Sequence, residues 1–255
     1  MIRVGDAVSD FPPSSDGRPD ARPLYAQVES ILNARIAAGE WQPGHALPSE
    51  PELAQELGVS HGTVRKALDA LERRHLIERR QGKGTFVARQ TSERARFHFF
   101  PVRDLQGRQV EPTSTALSLV TTPATEEERA AMHLPADALL HRVRRLRAKD
   151  GVPFMLDETS MPAAVFPDFS VPAGREPMDE LYVVYQKRYG VTVVRSEELL
   201  SADGASPEVA AVLEMPAGAP VLIMERRTLD AGGRMVERRT SWLNTARHRY
   251  VSVME

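Results

Sequence analysis

Residues 47–87 read LPSEPELAQELGVSHGTVRKALDALERRHLIERRQGKGTFV. Ser49 stands three residues before Glu52, the spacing of a capping box, in which a hydroxyl and a carboxylate reciprocally satisfy two free backbone N–H groups. That predicts a helix from about Glu50 to Leu57, ended by Gly58. Ser60 caps a second helix, in which Val64, Ala67, Leu68 and Leu71 recur at spacings of three and four and share one face. Two short helices separated by Gly58-Val59-Ser60 have the spacing of a helix-turn-helix, whose second helix enters the DNA major groove N-terminus first. Leu76–Arg80 and Thr85–Val87 then flank Gln81-Gly82-Lys83-Gly84, two strand-like runs around a glycine-rich turn. A hairpin beside a recognition helix is a wing. Gly82 and Gly84 let its backbone approach a phosphate or the minor groove, and Lys83 supplies charge at the tip.

Upstream, Pro23 suits the first turn of a helix, because its missing N–H would be unpaired there anyway. Leu24, Val28, Ile31, Leu32 and Ile36 form its apolar face, with Gly39 as a stop and Pro43-Gly44 as a turn. Residues 1–21, including Pro12-Pro13-Ser14-Ser15, lack periodicity and are expected to be a disordered tail. The winged helix-turn-helix is therefore placed at 22–88 and a polar linker at 89–95. The remaining 96–255 are placed in a second domain. There the pattern turns mixed. Phe97–Pro101, Ser114–Val120, Leu139–Arg147, Phe154–Met161, Val191–Leu200, Val221–Leu229 and Arg234–Leu243 are strand-like, with turns at Asp150-Gly151 and Gly232-Gly233. Helices are expected at Glu126–Met132, Met178–Tyr189 and Pro207–Leu213. Strands dominate without βαβ regularity, so the fold class is α+β with a largely antiparallel sheet.

The chain has 255 residues and a net charge of −2, which on its face argues against nucleic acid. The charge is unevenly spread. Positions 61–90 carry eight basic residues against only Asp69, Glu72 and Glu78, and a local basic stretch indicates a phosphate-facing surface better than a global sum. The absence of cysteine removes disulfides, thiolate nucleophiles and Cys-based metal sites. The acidic N-terminus does not read as a signal peptide, and no run approaches the about 18 apolar residues needed to cross a bilayer. A cytoplasmic protein without membrane contact is expected. No His-Glu-x-x-His, Gly-x-Ser-x-Gly or Walker-type loop occurs, and the seven histidines lack metal-ligand spacing. No enzyme, metal or cofactor is expected.

Pro23-Leu24-Tyr25, Pro43-Gly44, Leu47-Pro48-Ser49-Glu50, Val59-Ser60, Thr63-Val64-Arg65, Ala67-Leu68 and Gln81-Gly82-Lys83-Gly84-Thr85-Phe86-Val87 together resemble the GntR family of bacterial transcription regulators over about 65 residues. The resemblance implies DNA contacts from Ser49, Ser60, His61, Thr63, Arg65 and Lys66 and from the wing residues Gly82, Lys83 and Gly84. Two positions depart from the family pattern. Pro51 and His61 stand where the family usually has DNA-touching arginines, so the usual operator does not carry over. His61 offers a single tooth to a guanine edge or phosphate. Arg73 and Arg74 are expected to be solvated or paired with Glu72 or Glu78, and Tyr25 fits either core packing or a phosphate contact.

The second half resembles the effector domain of the HutC branch of that family, whose fold is shared with chorismate lyase. The matching features are Arg145-Leu146-Arg147 before Asp150-Gly151, Met161-Pro162, Leu181-Tyr182, Tyr189-Gly190-Val191 and the hairpin at Gly232-Gly233. Arg145 and Arg147 lie two apart on a strand and share a face, so they can clamp an anion or form a salt-bridged strand. Asp157, Tyr182 and Glu237 match pocket positions of the family. Glu180 stands where sugar-phosphate-binding relatives have serine, and its charge would repel phosphate. A ligand with a carboxylate and a cationic or polar part fits Arg145, Arg147, Asp157 and Glu180 better. The implied function is a homodimeric repressor that binds a pseudo-palindromic double-stranded operator and answers to a small-molecule effector. The alternative is a small-molecule-binding or lyase-like protein whose winged helix serves protein interaction.

Overall fold

The computed structural model describes residues 22–91, 93, 99–172, 178 and 180–252. The tail expected at 1–21, linker residues 92, 94 and 95, and Phe97 and His98 of the first expected strand lie outside them. The N-terminal unit begins with α1 (Leu24–Ala37), α2 (Glu50–Leu57) and α3 (His61–Arg73), followed by β1 (Ile77–Arg80) and β2 (Gly84–Val87). Both bonds of the Ser49–Glu52 capping box are made, and Gly58 closes α2 in the left-handed conformation at φ 64°, where a Cβ would be strained. On α1 the buried stripe is Val28, Leu32 and Ile36, while Leu24 and Ile31 are exposed. The reason is angular: residues one apart on a helix point about 100° apart, so Ile31 faces away from Leu32. Leu53, Val64, Ala67, Leu68, Leu71, Leu76 and Ile77 complete this core, each large side chain contributing roughly 1.5–3 kcal/mol by leaving water. The hairpin pairs Ile77 with Val87 through Arg80 with Gly84, and Ala46 bridges to Phe86 on its outer side.

The C-terminal unit is built on a six-stranded antiparallel sheet. Its strands are β4 (Thr113–Pro123), β5 (Leu139–Lys149), β6 (Val152–Pro162), β7 (Val193–Gly204), β8 (Pro220–Asp230) and β9 (Met235–Asn244), in the order β4-β5-β6-β9-β8-β7. Two meanders therefore meet at one seam, β6 against β9, which aligns Asp157 with Ser241. A small second ladder joins β3 (Val102–Asp104) to β10 (His248–Tyr250). Among the described residues three helices punctuate the sheet: α4 (Glu126–Met132), α5 (Leu181–Tyr189) and α6 (Pro207–Val212). At the Asp150-Gly151 turn both residues have positive φ, 51° and 80°, as a tight primed turn requires.

Two sequence expectations change here. The strand expected at 97–101 gives way to one that begins at Val102, and the described residues 99–101 are outside any strand. The helix expected from Met178 begins at Leu181, and its N-cap, Glu180, makes no capping bond because its carboxylate is turned toward arginines.

The faces of the sheet differ in kind. Leu156 and Val221, with Trp242 and Ile223, pack on Val209 and Leu213 at α6, a dry apolar layer. On the opposite face Arg145, Arg147, Asp157, Arg226, Glu237, Arg239 and Ser241 are buried although polar or charged. The two units also touch. Asn33 Nδ2 donates to the Ala231 carbonyl at 2.5 Å, and Ala231 and Val194 pack against the winged-helix core.

Candidate DNA-binding and effector sites

At the N-terminal unit, α3 buries Val64, Ala67, Leu68 and Leu71 and so turns His61, Arg65 and Lys66 to solvent. Ser60 Oγ accepts the Thr63 N–H at 3.2 Å and shares a hydrogen bond with the Thr63 hydroxyl at 2.9 Å. Both hydroxyls are thus already engaged in starting the helix. Ser49 is likewise spent on its cap, its hydroxyl donating to Glu52 at 2.7 Å. Arg65 is extended and two-thirds exposed, and Glu50 accepts from its Nε at 3.1 Å. Gly82, Lys83 and Gly84 form the exposed wing tip, with Gly82 at φ 69° and Gly84 at φ 109°.

The other basic residues are distributed differently from expectation. Arg74 pairs with Glu29 on α1 at 2.9 Å, not with Glu72 or Glu78. Arg79 takes Glu72 and Asp69 at 2.9 and 2.6 Å. Arg80 takes Glu78 at 2.5 Å and lies over the Phe86 ring. Tyr25 is exposed. Among the described residues of α3 and the wing, the outward cations of the sequence pattern that make no ion pair are Lys66 and Arg73 on α3 and Lys83 at the wing tip, and Arg65 holds only its solvated pair with Glu50.

At the C-terminal unit the charged face closes into a network. Asp157 is fully buried, and Arg145 reaches its Oδ2 from Nη2 at 2.7 Å and Nε at 3.2 Å. Arg147 Nε donates to the same oxygen at 2.9 Å, and Ser241 Oγ donates to Oδ1 at 2.7 Å. Burial alone would raise the Asp157 pKa, but Arg147, Arg145 and Arg239 overcome it and hold the group far below the ordinary carboxylate range. Glu180 lies at the edge of this network. Its carboxylate accepts from Arg147 Nη1 at 3.2 and 3.3 Å and lies 3.7 Å from Arg145 Nη1. Burial opposes its ionisation, yet Arg147 and Arg145 again lower its pKa. Among the described residues Arg145 Nη1 has no hydrogen-bond partner although buried.

Along the same face, Tyr182 and Tyr185 of α5 reach down to the sheet. Tyr185 OH donates to Glu237 at 2.5 Å, and Tyr182 OH lies 3.3 Å from the other Glu237 oxygen and 3.0 Å from Thr228. Arg239 pairs with Glu237 at 2.7 Å, and Arg226 pairs with Glu198 at 2.6 Å. A narrow, open cleft lies above these groups. Arg147, Glu180, Arg226 and Arg239 form its polar wall, and Phe99, Phe100, Leu181 and Tyr182 its apolar one. Phe100 stacks under the Arg147 guanidinium at 4.6 Å, and Phe99 meets Tyr182 edge-on at 5.0 Å.

All six residues singled out for an effector lie on this one face, in two bonded clusters: Arg145, Arg147, Asp157 and Glu180 in one, Tyr182 and Glu237 in the other, with Arg239 acting on the carboxylates of the first while paired with Glu237 of the second. Of these, Arg147, Glu180 and Tyr182 line the cleft, whereas Arg145, Asp157 and Glu237 support it from beneath. Sequence reading missed Arg226, Arg239, Glu198, Tyr185 and Ser241. A signal was present: Glu237, Arg239 and Ser241 fall at alternate positions, so the middle of one face of β9 is polar between Met235 and Leu243. Among the described residues no cluster of His, Asp or Glu is arranged to hold a metal, and no helix is long and apolar enough to cross a membrane.

Both units match known families. Residues 24–87 match the family described as bacterial regulatory proteins, gntR family, and residues 107–249 match the UTRA domain. The mannosyl-D-glycerate transport/metabolism system repressor MngR of Escherichia coli K12 is 30% identical, covering 92% of this chain and 97% of its own length. The histidine utilization repressor of Pseudomonas putida is 29% identical over 81% of this chain and 82% of its own. Among solved structures, the ligand-binding domain of a GntR-family transcriptional regulator from Bordetella bronchiseptica superposes with a TM-score of 0.58 at 26% identity. It covers 63% of this chain and 99% of that one.

Proposed function

The chain belongs to the GntR family of bacterial regulatory proteins and carries a UTRA domain, and from that premise we propose how it acts. It is a ligand-responsive, DNA-binding transcription regulator of the repressor type. We assign operator reading to the start of α3, with Arg65 and Lys66 as the principal cations, His61 as a single-toothed donor and the Ser60–Thr63 pair as helix cap. Gly82, Lys83 and Gly84 would follow the adjacent backbone or minor groove. Two chains would pair through their C-terminal units into a two-fold dimer, giving a pseudo-palindromic operator with half-sites about one helical turn apart. Exposed Leu199 and Leu200 on edge strand β7 and Leu117 and Val120 on edge strand β4 supply apolar surface for such an interface. Regulation of transcription and no catalytic step is the role proposed, in the cytoplasm.

The observation that carries the effector reading is the Arg147 guanidinium, stacked on Phe100 and joined to Glu180 at the wall of the cleft. The effector is proposed to bear a carboxylate for Arg147 and a polar or cationic part for the acidic side of the network. The names of the two relatives support this: mannosyl-D-glycerate and histidine each contain a carboxylate. A thermal-shift screen tests it. Polar carboxylates should stabilise the wild-type chain and fail to stabilise a folded Arg147→Ala variant. Stabilisation by phosphosugars alone would overturn the ligand class.

A further inference from the structure

Helix α5 does two things at once. Glu180, immediately before it, meets Arg147 in the cleft, and Tyr182 and Tyr185 bond to Thr228 and Glu237 beneath. Farther along, Gln186 is buried and faces the other way along the chain. Its Oε1 accepts the backbone N–H of Gln90 at 2.7 Å, and its Nε2 donates to the Ala88 carbonyl at 3.2 Å and to Thr192 Oγ1 at 3.0 Å. Gln90 is itself buried, and its amide Nε2 donates to the carbonyl of Val193 at the start of β7. Ala88 in turn donates its N–H to the Leu76 carbonyl at 2.9 Å, which ties it to the winged-helix core. The six steps from Glu180 to Gln186 span only about 9 Å at the rise of a helix.

We propose that Gln186 is a latch that ties the DNA-binding unit to the effector-site helix, and that Glu180 is the internal anion holding the latch closed. The proposal rests on the effector reading above and adds its regulation. An effector anion that takes Arg147 releases Glu180, frees the start of α5 and loosens the grip of Gln186 on Gln90 and Ala88. The winged helix then exchanges its docked position, with Asn33 on Ala231, for a broader range of placements. Coupling of this kind is reciprocal: a winged helix held in another position by DNA must weaken or strengthen effector binding by the same factor. Two features favour a latch over ordinary packing. Gln186 satisfies a backbone donor and a backbone acceptor of the preceding unit with one side chain. Glu180 gives up the capping role its position offers in order to reach Arg147.

Hydrogen exchange at the Gln90 amide reads the latch directly, in the full chain and without any ligand. Gln186→Ala should raise the exchange rate of that amide by about tenfold, the weight of one buried hydrogen bond. Glu180→Gln should raise it comparably although it lies at the other end of the helix, whereas Glu128→Gln, which breaks an ion pair on α4, should leave it unchanged. If Glu180→Gln does not fold, Arg147→Lys, which keeps the charge but loses the two-oxygen grip, serves instead. A Gln90 amide indifferent to Gln186→Ala overturns the latch. One that responds to Gln186→Ala but not to Glu180→Gln, or equally to Glu128→Gln, overturns the coupling. Failure of the effector reading shows separately, as a chain that no polar carboxylate stabilises.

Discussion

Arg65 and Arg145 each hold a carboxylate, at 3.1 Å to Glu50 and 2.7 Å to Asp157, yet the two pairs belong to different kinds of chemistry. The Arg65 pair is open to water. Such pairs contribute about 0–1 kcal/mol, so Glu50 yields Arg65 to a phosphate or a guanine edge at little cost. The Arg145 pair is sealed. Removing water from both partners leaves each dependent on the other, and breaking one side strands a buried charge. A surface built to change partners needs weak, solvated pairs. A sensing network needs a rigid base with one exchangeable member, and Glu180, with its longer contacts and partial exposure, is that member.

The sharpest way to break this comparison is Arg145→Ala. It should cost about 3–5 kcal/mol of stability, read by chemical denaturation, because Asp157 keeps its burial and loses two hydrogen bonds. A loss no larger than that of an exposed pair would mean that the network is wet and that the contrast is false.

Acid should separate the two regions next. Asp157, Glu180 and Glu128 all have folded pKa values below their ordinary ones. Groups of this kind add stability that is complete above the unfolded pKa and lost as pH falls through the folded one. For Glu128, bonded to Arg142, that window runs from 4.5 down to about 2. Melting of the C-terminal unit, followed through Trp242 in a Trp41→Phe chain, should therefore fall steadily below pH 4.5. A flat profile across that window would show that these carboxylates gain nothing from their arginines.

The smallest effect on folding is expected at Arg65. Arg65→Ala should weaken operator binding by about 1–3 kcal/mol through a lost base contact, with a shallower salt dependence and stability changed by less than about 1 kcal/mol. Operator affinity unchanged in a folded variant removes Arg65 from the interface.

What was legible in the sequence divides along the same line. The bounds of α2 follow from Ser49, Glu52 and Gly58 because caps are decided within a few residues. The wing follows from Gly82 and Gly84 for the same reason. Arg74 was misplaced because Glu29, its partner, is 45 residues away, and no local pattern announces such a pairing. At the sensing face, Arg145 and Arg147 declared themselves by parity along one strand. Arg226 and Arg239 did not, since alternating polar residues normally signal a face open to water. That face is buried because α5 and the Phe99-Phe100 stretch cover it, and coverage is a property of the whole fold.

The seam between β6 and β9 has a consequence in time. Arg145 and Asp157 are 12 residues apart and meet within one hairpin, but Ser241 reaches Asp157 across 84 residues of chain. Contacts of high sequence separation form late, because closing the intervening loop costs entropy before any pairing repays it. During synthesis the winged helix emerges and can fold first, while the sensing face waits for β9. For that interval a nascent chain can hold a folded winged helix beside a charged face that still lacks its last strand.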